Sequence, residues 1–250
     1  MKNTSTEVKW YASWFDSIYY HLLYNNRNEE EASDFVDRLF AYINLEKGSK
    51  VVDMACGKGR HAKQIAQLGY QTIGLDLSPE SIHFAKKYEH CHLHFFVHNM
   101  LNNPEHLIKK PDFICNLFTS FGYFDDLESH QNIISEFSAC LKPNGLFLFD
   151  FMNAKKVISS LVEYEQKTIQ GIDFQINRKV EKQTIFKTIR FSDQGESYEF
   201  TEQVFGLTKA DFSQMFQKAG LNIQACFGDY QLNPFDEHQS PRLIILAKKK

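Results

Sequence analysis

Lys50-Val51-Val52-Asp53-Met54-Ala55-Cys56-Gly57-Lys58-Gly59 is the stretch whose reading decides the fold. It opens as an apolar strand at Val51-Val52 and becomes a loop of small residues, Ala55, Cys56, Gly57 and Gly59. In Arg60-His61-Ala62-Lys63-Gln64-Ile65-Ala66-Gln67-Leu68 the apolar positions Ile65 and Leu68 follow helical spacing. Strand, glycine loop and helix open a nucleotide-binding βαβ unit, in which small residues let a ligand approach bare backbone. Such a loop is a weak signal by itself and takes its meaning from the residues on its C-terminal side.

Gly69 closes that helix as a C-cap. Residues 71–75 read as a second strand ending at Asp76, and Ser78-Pro79 as a helix start with Ser78 as N-cap and Pro79 in the first turn. A third strand over 93–97 runs into Asn99-Met100, and a fourth over 113–117 into Phe118-Thr119-Ser120-Phe121-Gly122-Tyr123. A helix over 127–141, with Ile133, Ile134, Phe137 and Leu141 on one side, leads through the turn Lys142-Pro143-Asn144-Gly145 to a fifth strand over 146–151. That strand is apolar throughout, as a buried parallel strand is. The alternation predicts an α/β fold with an open, doubly wound, Rossmann-like sheet. Ligands in such sheets lie beyond the carboxyl ends of the strands. The residues expected there are 55–59, Asp76, Asn99, 116–120 and 150–153.

The flanks carry other patterns. Residues 7–24 are rich in aromatics at spacings of three and four, which predicts one helix packed as a lid on the main domain. A second helix over 29–45 buries Phe35, Val36, Leu39, Phe40 and Ile43. Arg27, in the turn between them, either reaches under the lid or faces solvent. From about residue 163 to 206 the period changes to two, as in antiparallel strands with one solvated face. Helical periodicity returns at Thr208, where Thr208-Lys209-Ala210-Asp211 resembles a capping box and Phe212, Met215 and Phe216 form the apolar stripe. Strands over 222–227 and 243–247 have no helix between them and must lie antiparallel, bringing the main sheet to seven, mostly parallel, strands. The expected organisation is a helical lid over 1–46, a ligand-binding domain over 47–160 and 207–250, and an inserted antiparallel β subdomain over 161–206.

Composition narrows the function. A net charge of −3 gives no basic face for nucleic acid. Cysteines at 56, 91, 115, 140 and 226 form no Cys-x-x-Cys pair and are odd in number, which reads as reduced thiols in a cytoplasmic protein. His90, His92 and His94 alternate around Cys91 without a second ligand group, so no metal is expected. The polar start has no secretory core, and no run reaches the ~18 apolar residues of a membrane span. The 23 phenylalanines are read mainly as core, with a minority lining a cavity.

A pyrophosphate-binding loop wants Gly-x-Gly-x-x-Gly. Here the small residues fall at 55, 57 and 59, and Arg60 and Ala62 occupy the slots the other spacing needs. Asp53, before the loop, has no role with a pyrophosphate. Asp76 stands where a carboxylate grips a ribose diol. The ligand is then an adenosine without phosphates, and S-adenosylmethionine fits.

Three stretches carry a more specific resemblance. Val51 to Gly59 resembles the first motif of class I S-adenosylmethionine-dependent methyltransferases, and Gly74-Leu75-Asp76-Leu77-Ser78 their second. Leu141-Lys142-Pro143-Asn144-Gly145 resembles the turn before their fifth strand. Ala55 replaces the loop's usual first glycine, and Asn99 stands where many members have Asp. The resemblance implies that Asp53 orders the loop, that Gly59 belongs to the same cofactor site, and that the backbone around Ala55, Cys56 and Gly57 holds the methionine part. It implies Asp76 on the ribose, Leu77 and Met100 around adenine, Asn99 on its amino group, and Asn116-Leu117 beside the methionine. A narrower likeness is to sugar-amine and glycine N-methyltransferases, which carry a β insert. It implies Tyr20, Tyr24 and Arg27 closing over the cofactor, with Arg27 on the methionine carboxylate.

Phe118, Phe121 and Tyr123 are then expected to face the acceptor, where aromatic faces favour a cationic sulfonium or amine. Asp150, His238 and Tyr230 are the strand-end groups that could act as a base. The expected function is transfer of a methyl group to N or O of a small molecule by a monomer or homodimer. Methylation of protein or RNA, and binding of the cofactor without turnover, are the alternatives.

Overall fold

The computed structural model describes residues 10–24, 29–124 and 126–250. Three helices come first: α1 (Trp10–Phe15), α2 (Ile18–Leu23) and α3 (Glu29–Ile43). The sheet-forming region follows as β1 (Lys50–Met54), α4 (Arg60–Gln67), β2 (Gln71–Asp76), α5 (Pro79–Ala85), β3 (Leu93–Val97), β4 (Phe113–Asn116), α6 (Leu127–Cys140) and β5 (Leu146–Met152). After α7 (Ala154–Ser159) come β6 (Tyr164–Ile169), β7 (Ile172–Glu181), β8 (Thr184–Asp193) and β9 (Glu196–Phe205), then α8 (Lys209–Lys218), β10 (Leu221–Phe227) and β11 (Arg242–Lys249).

The main sheet has seven strands in the order β10-β11-β5-β4-β1-β2-β3. The pairs among β5, β4, β1, β2 and β3 are parallel, and β11 pairs antiparallel with both β5 and β10. This is the doubly wound, mostly parallel α/β sheet the sequence predicts. Its order reverses between β1 and β4, which makes the carboxyl ends of those two strands the switch point. The central strands are apolar because both faces are covered. On one face Phe147, Phe149 and Phe151 pack with Ile133, Ile134 and Phe137 of α6 and with Phe212 and Phe216 of α8. On the other, Val51, Phe113 and Leu148 pack against Phe35, Val36, Leu39 and Phe40 of α3.

The second sheet is antiparallel, in the order β6-β7-β8-β9. Its period-two alternation buries Phe174, Ile176, Ile189 and Phe191 on one face, and Trp14 and Leu23 of the first two helices cover that face. The aromatic spacing predicts one helix over 7–24, packed on the main domain. The chain instead breaks at Asp16-Ser17, because Ser17 turns extended (φ −74°, ψ 139°) and its hydroxyl accepts the Tyr19 N–H as the N-cap of α2. The pieces pack chiefly on the insert. Helix α7 has no counterpart in the sequence pattern; its six residues are too few for periodicity to show. Among the described residues no helix is long and apolar enough to cross a membrane.

One side chain sets the spacing at the front of the sheet. The Phe95 ring is fully buried between β2 and the start of α4. A Cβ at Gly74 would lie 2.5 Å from it and 2.8 Å from Cys56 Sγ, and a Cβ at Gly59 would lie 2.7 Å from the same ring. Gly74→Ala is expected to destabilise the fold by about 1–3 kcal/mol, the range for overpacking a filled core. Denaturant melts check it, and an unchanged midpoint contradicts it.

Candidate active site

A cavity of about 470 Å³ opens beyond the carboxyl ends of β1 to β4. Its floor is the loop after β1, where Ala55 (φ 62°) and Gly57 (φ 55°) are both left-handed. The methyl group of Ala55 makes that conformation costly by roughly 1–2 kcal/mol. The loop is fastened to its neighbour strand by Cys56 N–H donating to Leu75 O at 2.9 Å. Gly57 N–H donates to Asp76 Oδ2 at 2.7 Å, and Ser78 N–H to Oδ1 at 2.9 Å. Burial raises the Asp76 pKa, while those backbone N–H groups pull the other way.

Twelve of the residues predicted from sequence line this one cavity: Tyr20, Tyr24, Ala55, Cys56, Gly57, Asp76, Leu77, Asn99, Met100, Leu117, Phe118 and Tyr123. Four others do not. Asp53 is buried beneath the loop, and its Oδ2 has no hydrogen-bond partner. Burial and then the charge of Asp76 push its pKa up to about 7, against the opposing pull of Arg60 and the Ala62 N–H. Gly59 packs on Phe95 rather than facing the cavity. Asn116 is buried and donates from Nδ2 to Met54 O at 2.9 Å and Ser120 O at 3.4 Å, joining the two loops from behind. Phe121 is fully buried, its ring 4.8 Å from Phe149 and 5.0 Å from His130. It fills the core, so the acceptor-facing role expected of it is withdrawn. Arg27 lies outside the described residues. The carbonyl oxygen of Asn99 already accepts the Leu101 N–H at 3.0 Å.

The groups proposed as a base stand elsewhere. Asp150 is 1% exposed and outside the cavity lining. It accepts from Phe118 N–H at 2.8 Å, Tyr230 OH at 3.1 Å and Arg242 Nε at 2.8 Å. Burial and the Asp150 charge hold the Tyr230 phenol far above its ordinary range, although Arg242 opposes them. His238 is exposed, on a loop away from the cavity. Sequence reasoning missed Tyr11, Phe15, Arg60, His98 and Phe124 as lining residues. The aromatic run from 10 to 24 signalled the first two. For Arg60, the first residue of α4, the signal was its place after the loop.

The first two helices roof the cavity with Tyr11, Phe15, Tyr20, His21 and Tyr24. They are tied down on both sides. Asp16 Oδ1 accepts from the Ser78 hydroxyl beside Asp76. Trp14 Nε1–H and Tyr24 OH both donate to Glu202 Oε1, at 2.7 and 2.6 Å. Lys187 donates to the Tyr24 hydroxyl and stands 3.6 Å from Glu202. Burial lowers the Lys187 pKa, against the pull of Glu202.

A family model described as a methyltransferase domain matches residues 24–225. The chain is 23% identical, over 220 residues, to the dTDP-3-amino-3,4,6-trideoxy-alpha-D-glucopyranose N,N-dimethyltransferase of Streptomyces venezuelae, covering 82% of this chain and 89% of that one. An S-adenosylmethionine-dependent methyltransferase from Clostridium acetobutylicum ATCC 824 shares the fold with a TM-score of 0.77 at 19% identity, over 93% of this chain and 96% of that one. The sugar N-methyltransferase KedS8 from Streptoalloteichus sp ATCC 53650 does so with a TM-score of 0.74 at 15% identity, over 92% of each chain.

The raised pKa of Asp53 has a definite sign in stability. Between 3.8 and about 7 the folded chain holds a proton that the unfolded chain releases, so this residue's contribution is full below that window and is lost as pH rises through it. Asp53→Asn, which cannot ionise, is expected to gain melting temperature relative to the parent as pH goes from about 5 to 8. Parallel slopes of Tm against pH for the two proteins contradict the assignment.

Proposed function

We propose that this chain, which belongs to the methyltransferase domain family, is an S-adenosylmethionine-dependent enzyme that methylates a nitrogen of a small molecule, with the acceptor held under the aromatic roof. The observation that carries this is the cavity's composition. One half is the loop, Asp76, Leu77 and Met100, and the other is walled by Tyr11, Phe15, Tyr20, Tyr123 and Phe124.

The first half fits the cofactor. Asp76 turns a carboxylate toward the cavity with each oxygen oriented by a backbone N–H, a fixed acceptor pair for a ribose diol. Leu77 and Met100 offer apolar surface for an adenine. Bound there, S-adenosylmethionine supplies an electrophilic methyl carbon on a positively charged sulfur.

The chain's own part is alignment, charge and exclusion of water. Holding an acceptor in line can lower the barrier by roughly 7–11 kcal/mol. Aromatic faces favour a cationic sulfonium or ammonium by roughly 0.5–2 kcal/mol each. Phe15 and Tyr123, with ring centroids 5.1 Å apart, and Tyr20, 5.0 Å from Phe15, form a continuous wall of this kind. A neutral amine attacks with its own lone pair and needs no base first, whereas a hydroxyl does. Asp150, Tyr230 and His238 stand outside the cavity lining while His21, His61 and His98 belong to it, so the support for nitrogen over oxygen is the aromatic wall, which suits an ammonium product. The sugar N-methyltransferase and N,N-dimethyltransferase relatives support it further. A net charge of −3 and a roofed site argue against RNA or protein as acceptor.

Asp76→Ala is expected to weaken S-adenosylhomocysteine binding about 10–100-fold, as for loss of hydrogen bonds to a charged group; calorimetry reads it, and unchanged affinity removes Asp76 from the ribose. Incubation with S-adenosylmethionine and panels of amines, hydroxyl compounds, peptides and RNA tests the acceptor. Methylated amines are the expected product. Turnover confined to any other panel overturns the proposal.

A further inference from the structure

The turn after β4 holds two successive non-glycine residues in the left-handed region, Phe118 at φ 67° and Thr119 at φ 62°. Side chains other than glycine crowd the following carbonyl there, and such residues persist only where their surroundings over-determine them. Here the surroundings converge on one buried side chain. Asp150 Oδ2 accepts the Phe118 N–H at 2.8 Å, and the Asp150 carbonyl accepts the Thr119 N–H at 2.9 Å. Arg242 grips Asp150 Oδ1 through Nε at 2.8 Å and Nη2 at 2.6 Å, and its Nη2–H also donates to Thr119 Oγ1 at 2.8 Å. Tyr230 OH donates to Asp150 Oδ2 at 3.1 Å.

Of these residues, Phe118 lines the cavity, while Thr119, Asp150, Tyr230 and Arg242 stand behind it. The Phe118 ring lies 4.4 Å from the guanidinium of Arg60, itself a lining residue, and 6.2 Å from the parallel ring of Tyr230. The turn's conformation therefore decides where Phe118 and Arg60 stand in the site. We propose that Asp150, locked by Arg242 and Tyr230, is a positioning residue that holds the Phe118–Thr119 turn left-handed and thereby sets the wall of the cavity that Phe118 and Arg60 form.

The observations oppose two other roles. A base must reach the reacting proton, and Asp150 is outside the lining with both carboxylate oxygens engaged. A part in holding β5 to β11 belongs to the backbone ladder, where Ile244 faces Asp150 in register, while the carboxylate points at the turn.

Epistasis tests it. S-adenosylhomocysteine binding to the whole chain is measured by calorimetry, first for the parent, so that a failed cofactor assignment is distinguished from a failed clamp. Asp150→Asn keeps the size but loses the charge. It is expected to weaken binding about 10–100-fold, the scale of a lost charge-assisted bond. Thr119→Gly accepts a positive φ without a clamp and is expected to change binding less than about three-fold by itself. The double variant is expected to return to within about three-fold of Thr119→Gly. Thermal melts accompany each measurement, because a merely structural role lowers Tm without being rescued by glycine. If Asp150→Asn does not fold, Arg242→Lys, which keeps charge but loses the fork, is put through the same cycle with about a ten-fold loss expected. Parent-like binding in the single variant, or a double variant as weak as the single, overturns the proposal.

Discussion

Asp76 is the point on which the front of the molecule depends. Its carboxylate joins the glycine loop after β1 to the start of α5, by taking the N–H groups of Gly57 and Ser78. The Ser78 hydroxyl then reaches Asp16 of the roof. The loop is thus fixed to the Asp76 side chain directly and the roof is fixed beside it through Ser78, while the carboxylate stays turned toward the cavity. Desolvation of that carboxylate raises its pKa, and the N–H groups oppose the rise. Both carboxylate oxygens are held in place before any ligand arrives, which leaves a donor bound there little rearrangement to impose.

The β insert holds the other half of the site without lining it. Glu202 gathers Trp14 and Tyr24 on a single oxygen, with Lys187 alongside. Two helices of six residues each are too short to be stable alone. The apolar face of the insert and this buried network supply what propensity lacks. Fold and site are therefore linked through the second sheet: it is the surface against which the roof forms.

Much of this is legible in the sequence, and the reasons are physical. The parallel strands show as apolar runs because both faces are covered, and the glycine loop and Asp76 show because few residue types suit those places. Phe118 and Phe121 look alike in sequence, yet one lines the cavity and the other is core. Two successive left-handed residues turn the chain between them, and no period counts through such a turn. The family motifs place Asp53 under the loop and assign Asn116 and Gly59 to the ligand, whereas Asn116 joins the two loops from behind and Gly59 packs on Phe95. Asp150 sits at a strand end, where a base belongs, and its partners Tyr230 and Arg242 come from a loop and the antiparallel strand β11, some eighty and ninety residues on. Sequence distance hides that meeting. The break at Asp16-Ser17 is hidden by the aromatic periodicity running across it, although Ser17 carries the capping signal.

The ring of Phe95 acts as a gauge block. One aromatic thickness separates β2 at Gly74 from the start of α4 at Gly59, and with them the Cys56 end of the loop. Drift at any of these positions is therefore not independent of the others. A side chain gained at 74 has to be matched by smaller residues at both 95 and 56, Gly59 is held besides by its left-handed φ of 82°, and a smaller residue at 95 leaves a gap that both neighbours must close. These positions are constrained as a set, so a change at one is tolerated only with a matching change at another.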